Sequence, residues 1–268
     1  MKPEERQEFA QNILTDLYRE TYLETIFNTE EEKFLKEGWT LKSGIWSPWF
    51  FNLRPIGASP RIVAYIAYVM NHLIQDEVWG ERKCTLVGVE MAGVPLVSAI
   101  ATAQGPGCQL MPYAYTRPLP VNIRTPLEAE EVLKDFDYKW GHKSLVEGVF
   151  RNGAPLCILD DMVTNFGSKL ITRYVLEREM RIRNISNVEI KDVAVVLDRE
   201  QGGEEEAEKN GMRLHSLIKW TEGLGWLKNI MLPEEYNLIL DYQSDPMKYM
   251  DKNLQRKVLE EAQKARTK

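Results

Sequence analysis

The sequence predicts an α/β fold in which a mainly parallel sheet is flanked by helices and carries a small N-terminal hood. From residue 83 onward, short apolar runs alternate with segments of helical period, which is typical of consecutive β-α-β units. The runs CTLVGV and DVAVVL are predominantly apolar, as expected of strands covered on both faces. A third run, LCILDD, ends in two acids.

Composition and charge restrict the class of protein. The chain has 268 residues, of which 44% are hydrophobic and 28% are charged, values that are ordinary for a soluble globular enzyme with one large domain or two small ones. There is no run of about 18 apolar residues, so we expect no membrane partner. The net charge of −6 argues against broad binding to duplex DNA, and we expect no nucleic-acid partner.

The N-terminus and the cysteines predict a cytoplasmic location. The opening residues MKPEERQEFAQNI lack the apolar core of a signal peptide. The cysteines Cys84, Cys108 and Cys157 are far apart and form no CxxC pair, so we expect reduced thiols and no zinc site.

The N-terminal elements differ in pattern from those that follow. Residues 1–37 have apolar positions at helical spacing and predict two amphipathic helices. Residues 38–52 are rich in aromatic residues, with Gly and Pro between them, and predict a strand, a turn and a strand. Residues 60–78 return to helical period. We expect the aromatic segment to lie in the hood.

The remaining elements follow in β-α order. Strands are predicted in 83–91, 108–116, 156–162, 192–198 and 213–218, and helices in 94–104, from about Ser168, and in 204–210. We expect one domain over 1–232 and a helical tail over 233–268.

The segment LCILDDMVTNFGS is the first with recognisable chemistry. An apolar strand brings Asp160 and Asp161 to its carboxyl end, where open α/β sheets bind ligands. The following loop opens a helix, so its free N–H groups and the hydroxyls of Thr164 and Ser168 can bind a phosphate, while Gly167 allows close approach. Two carboxylates can hold a diol. A sugar-phosphate site is therefore one interpretation, and a strand end that merely caps a helix is an equal alternative.

ILDDMVTNFGS resembles the phosphoribosyl-diphosphate (PRPP) motif of type I phosphoribosyltransferases. Other stretches resemble orotate phosphoribosyltransferases, including the transferase half of UMP synthases: TLKSGIWSPWFFN, LVGVEMAGVPLVSAIA, LVEG and LDREQGG. Together they extend the resemblance over about 33–228. It implies a type I phosphoribosyltransferase fold and transfer of phosphoribosyl from PRPP to orotate, which gives orotidine 5′-phosphate and pyrophosphate. It also implies Mg²⁺ held mainly by PRPP, and a homodimer with a shared active site.

The resemblance assigns roles to residues around the sugar and the phosphates. Asp160 and Asp161 would hold the ribose hydroxyls, and the PRPP loop would bind through Thr164, Asn165, Gly167 and Ser168. The backbone at Ala92 and Gly93 would hold pyrophosphate. Arg117 and Lys139 would stabilise the departing pyrophosphate. For Lys139, a role as a plain loop charge is an equal alternative.

The resemblance also assigns a site for the base. Lys42 would neutralise charge on the pyrophosphate or the base, and Phe50 or Phe51 would supply an aromatic face. Arg199 would pair with the orotate carboxylate, because its planar fork matches a carboxylate. The alternatives are that the phenylalanines belong to the core and that Arg199 forms a salt bridge at the end of its strand.

Two departures from the family pattern leave other functions open. Residues 118–137 form an insertion in the catalytic loop, and LEAEEVLK within it predicts a short helix that packs on its own or a neighbouring subunit. Phe166 stands where the family has Gly, and we expect it to be costly at positive φ and to crowd the phosphate loop, with Gly167 taking over the turn. The open alternatives are a regulatory protein that binds a nucleotide or PRPP without catalysis, and a transferase for another base.

Overall fold

The structure is a computed structural model that describes residues 1–41, 44–79, 83–123, 125–141 and 143–266. The chain divides into two compact units, one formed by 1–10 and 57–220 and the other by 11–56 and 221–268. The sequence-based boundary at residue 232 coincides with no limit of these units. The C-terminal tail belongs to the same unit as the aromatic N-terminal segment.

The elements of the described residues follow one another in a mixed α/β order. The helices are α1 (Pro3–Arg19), α2 (Glu32–Glu37), α3 (Pro60–Leu73), α4 (Gly93–Ala101), α5 (Pro126–Lys134), α6 (Phe136–Trp140), α7 (Gly167–Ile182), α8 (Gly203–Lys209), α9 (Trp220–Leu227), α10 (Pro233–Ser244) and α11 (Lys252–Arg266). The strands are β1 (Leu23–Thr25), β2 (Trp39–Thr40), β3 (Trp46–Ser47), β4 (Trp49–Phe51), β5 (Thr85–Gly88), β6 (Tyr113–Thr116), β7 (Val146–Glu147), β8 (Leu156–Val163), β9 (Ile190–Asp198) and β10 (Arg213–Lys219).

The unit formed by 1–10 and 57–220 contains a six-stranded sheet in the order β10-β9-β8-β5-β6-β7. Its strands are parallel except for β7, which pairs antiparallel with β6. Residues 156–160 of β8 are all buried although successive side chains point to opposite faces, so both faces of the central strand are covered. The predicted mainly parallel sheet is confirmed.

The insertion at 118–137 carries the predicted helix, which is α5. Its first turn is capped by Thr125, whose Oγ1 accepts a hydrogen bond from the Glu128 N–H at 3.2 Å. Leu133 and Phe136 are buried in the core that α7 also joins. Arg178 of α7 lies over the Phe136 ring at 4.3 Å. The insertion is therefore packed on its own chain.

The unit formed by 11–56 and 221–268 contains two small antiparallel sheets, β1 with β4 and β2 with β3. The second predicted N-terminal helix is wrong in its first part, because residues 23–25 form a strand paired with 49–51. The side chain of Thr25 accepts hydrogen bonds from the N–H groups of Phe27 and Asn28, which turns the chain directly after β1. The spacing of Leu23, Ile26 and Phe27 thus comes from a strand and a turn.

The predicted tail helices, α10 and α11, are anchored within this second unit. Glu235 of α10 is buried and accepts hydrogen bonds from Tyr18 at 2.8 Å and from Thr25 at 2.6 Å. Arg266 at the end of α11 donates to the carbonyl of Thr29 at 2.7 Å. No helix in the described ranges is long and apolar enough to cross a membrane.

His215 of β10 lies between two acidic residues, Asp192 and Glu77, in the unit that contains the six-stranded sheet. Its Nε2 lies 2.8 Å from Asp192 Oδ1 and its Nδ1 lies 3.2 Å from Glu77 Oε2. Burial lowers the pKa of His215, but hydrogen bonds and charges from Asp192 and Glu77 outweigh it and raise the pKa to about 9. The imidazolium is therefore the form that the native state favours.

This elevated pKa predicts a loss of stability at alkaline pH. A group whose pKa is raised on folding stabilises fully below its unfolded value of 6.5, and that stabilisation is lost as pH rises through about 9. We expect the free energy of unfolding of the wild type to fall by on the order of 2 kcal/mol more than that of His215→Gln between pH 6.5 and 9. Urea unfolding at several pH values measures this difference, and parallel curves for the two proteins would contradict the assignment.

Candidate active site

Asp160 lies in the carboxyl-terminal half of β8, three residues before the strand ends, and is almost fully buried. Its Oδ1 accepts a hydrogen bond from the Asp161 N–H at 2.9 Å. Its Oδ2 forms an ion pair with Lys169 Nζ at 2.7 Å. Both carboxylate oxygens of Asp160 therefore have protein partners, which leaves this side chain poorly placed for the predicted role of holding a ribose diol.

Asp161, the second acid of the pair, is only half-buried. Its Oδ1 accepts from the Met162 N–H at 2.8 Å. Burial, and then the negative charge of Asp160, raise the pKa of Asp161 above its ordinary range. A partly exposed carboxyl group with a raised pKa, close to the end of a sheet strand, is a candidate ligand-binding group.

The predicted PRPP loop follows β8 and leads into α7. Thr164 is half-buried, while Asn165 and Ser168 are exposed. The Gly167 N–H donates to Asn165 Oδ1 at 3.3 Å, which shapes the turn before the helix. The loop therefore presents hydroxyl and amide groups at the N-terminus of a long helix, where a phosphate is favoured.

Phe166 has the left-handed conformation, with φ of 65°. The expected positive φ is thus present, but the turn is made by Phe166 itself and not by Gly167. The expectation that Phe166 crowds the phosphate loop is wrong, because its ring is only 1% exposed and packs in the core with Leu133 and Phe136 of the insertion. Phe166 and the buried residues of the insertion therefore belong to one core.

The loop between β5 and α4 approaches the end of β8 through a glycine. A Cβ atom on Gly93 would lie 2.6 Å from the carbonyl oxygen of Leu159, the residue before Asp160. The Glu90 N–H donates to Thr116 Oγ1 at 3.0 Å, which ties this loop to the end of β6. The Gly93 N–H already donates to the carbonyl of Val89 at 2.8 Å, and the side chain of Ala92 is buried.

The segment after β9 also contacts the PRPP loop. The Arg199 N–H donates to the carbonyl of Val163 at 3.1 Å. A Cβ atom on Gly203 would lie 3.0 Å from the carbonyl oxygen of Thr164. The side chain of Arg199 is 2% exposed, so its guanidinium is closed to solvent in this conformation. Arg199 is next to the predicted PRPP loop. Its predicted contact with a base carboxylate requires its side chain to become accessible.

The two predicted loop cations lie on the surface. Arg117 forms an ion pair with Glu147 of β7 at 3.3 Å. Lys139 is exposed on α6, with its Nζ 5.9 Å from the centre of the Trp140 ring. Their roles in catalysis stay predictions.

The predicted base-binding residues of the aromatic segment belong to the second unit. Lys42 lies outside the described residues. Phe51 is completely buried, because alternate residues of β4 face the core, so the prediction of an accessible aromatic face at Phe51 is wrong. Phe50 is half-buried and stacks on Trp39, with ring centres 6.3 Å apart. Phe50 is the member of the pair that can present part of its ring.

Lys169 is a residue of this site that the sequence analysis missed. It lies in the first turn of α7, where the helix dipole disfavours a positive charge. The side chain is 3% exposed and is paired with Asp160. The local sequence gives no signal for this pairing, because a lysine in the first turn of a helix is ordinarily exposed. In the part of the chain that the structure describes, no group of three or more His, Cys, Asp or Glu residues could hold a metal ion.

Replacing Phe166 by glycine should destabilise the protein by about 2–4 kcal/mol. The loss of a fully buried Phe side chain costs roughly 3–5 kcal/mol, which exceeds the relief of about 1 kcal/mol from removing a side chain at positive φ. Phe166→Leu, which keeps most of the buried volume, should lose less than Phe166→Gly. Urea unfolding measures both, and a glycine variant as stable as the wild type would contradict the proposed packing role.

Comparison with known proteins supports the resemblance found in the sequence. No family model matches the chain. It is 29% identical over 178 residues to uridine 5′-monophosphate synthase of Bos taurus, a match that covers 66% of this chain and 30% of that protein. It is 26% identical over 234 residues to an orotate phosphoribosyltransferase of Caenorhabditis elegans, covering 87% of this chain and 86% of that one. The chain therefore spans about 30% of the length of the synthases it matches.

Solved structures agree on the fold. UMP synthase of Leishmania donovani aligns with a TM-score of 0.62 at 19% identity, covering 89% of this chain and 42% of that chain. Orotate phosphoribosyltransferase of Mycobacterium tuberculosis aligns with a TM-score of 0.52 at 20% identity, covering 80% and 98%. The chain has the type I phosphoribosyltransferase fold of these proteins, and in sequence it resembles orotate phosphoribosyltransferases.

Proposed function

We propose that this protein is an orotate phosphoribosyltransferase, which transfers phosphoribosyl from PRPP to orotate and releases pyrophosphate. One observation carries the proposal: the loops after β5, β8 and β9 meet at the carboxyl end of the parallel sheet around Asp160 and Asp161. In open α/β sheets this edge is where ligands bind. Relatives named orotate phosphoribosyltransferase match most of the chain, which supports the same reaction.

The reaction would exchange one bond at the ribose C1 atom for another. The bond from C1 to the pyrophosphate oxygen breaks as a bond from C1 to a ring nitrogen of orotate forms, and the hydrogen on that nitrogen leaves as a proton that the departing pyrophosphate or water can take up. Positive charge develops on the ribose, and the departing pyrophosphate takes the electron pair. Asp161 would accept hydrogen bonds from the ribose hydroxyls, since it is the half-buried acid at the strand end.

The loop after β8 would bind the 5′-phosphate, and the loop after β5 would lie beside the pyrophosphate. Thr164, Asn165 and Ser168 offer polar side chains at the start of α7 to the 5′-phosphate, and Gly167 leaves room for it. The segment around Gly93 would lie beside the pyrophosphate. Lys139 or Arg117 would have to reach the pyrophosphate by side-chain or loop movement, and Arg117 would exchange Glu147 for it.

The carboxylate of the base would be held by Arg199. Arg199 suits a carboxylate because its fork can donate two parallel hydrogen bonds. Its buried side chain predicts that base binding is accompanied by a local rearrangement at the end of β9.

Mg²⁺, a homodimer and a cytoplasmic role in pyrimidine biosynthesis form part of the proposal. The oxygen of Asp161 fits a cation that prefers carboxylates, water and substrate phosphates, so the metal would arrive largely with PRPP. Mg²⁺ would supply charge neutralisation on the pyrophosphate. The homodimer rests on the resemblance, and sedimentation of the purified protein would test it.

The assay that tests the reaction uses the purified full chain with PRPP, Mg²⁺ and orotate, followed by loss of orotate absorbance. Uracil and adenine serve as parallel substrates, and uracil differs from orotate by lacking the carboxylate. We expect turnover with orotate and little with uracil. Turnover only with another base would overturn the orotate assignment, and binding of PRPP without turnover on any base would overturn the catalytic one.

Asp161→Asn should lower kcat/KM for PRPP by about 100-fold, because the amide loses charge-assisted hydrogen bonds to the ribose hydroxyls. The fold should persist, since the side chain is half-buried and asparagine has the same shape. Steady-state kinetics measure the effect, with Glu131→Gln on the exposed face of α5 as the matched control. Wild-type kinetics in Asp161→Asn would remove this acid from the sugar site.

A further inference from the structure

Lys169 connects three groups at the junction of β8 and α7. Its Nζ donates to Asp160 Oδ2 at 2.7 Å, to Ser168 Oγ at 3.1 Å and to the carbonyl of Met162. These contacts use all three N–H bonds of the ammonium. Lys169 is therefore neither a nucleophile nor a base in this arrangement, and its effect must act through the groups that it binds.

Stability alone does not explain this ion pair. The side chains of Lys169 and Asp160 are 3% and 9% exposed, so both charges are removed from water. Such a pair contributes little more than well-packed apolar residues of the same volume. The ammonium also lies in the first turn of α7, at the positive end of the helix dipole. A cation kept there despite both costs points to a role in the adjoining loop.

Through its contact with Ser168, the ammonium of Lys169 can affect a phosphate that is bound by the loop. Ser168 Oγ accepts a hydrogen bond from Lys169, so the hydroxyl hydrogen is left to point toward a different acceptor. Ser168 is exposed at the start of α7. A hydroxyl that accepts a hydrogen bond from an ammonium is polarised by it and becomes a stronger donor, so a phosphate oxygen that accepts from Ser168 would be bound more strongly.

The contact with Asp160 gives the two acids, Asp160 and Asp161, different roles. Lys169 and the Asp161 N–H occupy the two oxygens of Asp160, whereas Asp161 keeps an accessible face. We propose that Lys169 is a positioning residue of the phosphate loop, which aims the Ser168 hydroxyl at the phosphate and withholds Asp160 from the ribose, so that Asp161 alone binds the diol. This inference rests on the proposed function in that it takes the loop to bind a phosphoribosyl group.

The test measures binding without turnover, by titration calorimetry of the full chain with ribose 5-phosphate and, separately, with inorganic phosphate. Because Lys169→Met alone would leave Asp160 buried without its counter-ion, the variant combines Asp160→Asn with Lys169→Met. We expect this variant to bind both ligands about 10- to 100-fold more weakly. Lys209→Met, which removes an exposed lysine of α8, is the control and should bind as the wild type does.

Ser168→Ala separates a positioning role from a merely structural one. By itself it should weaken binding of both ligands about tenfold. When the paired variant is made in the Ser168→Ala background, the further loss should shrink to about threefold or less, because the hydroxyl through which Lys169 acts is already absent. Ser168 is exposed, so this arm is available even if the paired variant does not fold.

Several outcomes would overturn the inference. They are unchanged affinity in Ser168→Ala, unchanged affinity in the folded paired variant, and the same further loss with and without the Ser168 hydroxyl. A loss confined to ribose 5-phosphate would assign Asp160 to the diol and likewise contradict the proposal. If the wild type binds neither ligand, the proposed function fails together with the inference, whereas wild-type binding with any of the former results overturns the role of Lys169 alone.

Discussion

The close approach of two glycine-bearing loops to the end of β8 is the constraint on which the candidate site depends. Gly93 faces the carbonyl of Leu159 too closely for a Cβ atom, and a Cβ atom on Gly203 would lie a tight 3.0 Å from the carbonyl oxygen of Thr164. Backbone contact of this kind brings three loops of the parallel sheet to one point, as the hydrogen bond from the Arg199 N–H to Val163 also does. A site for a sugar carrying two phosphate groups needs such convergence.

Around this point the chain combines a rigid support with an unusual charge arrangement. Phe166 turns the backbone at positive φ and is buried in the same hydrophobic core as Leu133 and Phe136, so the inserted segment and the loop before α7 share one core. Lys169 neutralises Asp160 beneath the loop, and Asp161 remains the acid with an accessible face. The insertion and Phe166 are the two features that depart most from the family that the sequence resembles. They occur together because both contribute to the same core.

Periodicity and local chemistry were sufficient to predict the sheet, the acid pair at the end of β8 and the helix that begins at Pro126. They did not predict β1, because the spacing of Leu23, Ile26 and Phe27 fits a helix equally well and the partner strand is distant in sequence. Which of Phe50 and Phe51 is buried follows from strand alternation only once the paired face is known. The direction of Phe166 and the pairing of Lys169 with Asp160 depend on tertiary contacts that no local pattern contains.

Binding of a phosphoribosyl group at the junction of β8 and α7 is tested most directly by an NMR titration of the deuterated, ¹⁵N-labelled protein with ribose 5-phosphate. We expect saturable shifts of the backbone amide signals of Thr164, Asn165, Gly167 and Ser168, with smaller shifts in the segment around Gly93. Saturable shifts elsewhere in the protein, with the signals of 164–168 unmoved, would contradict it.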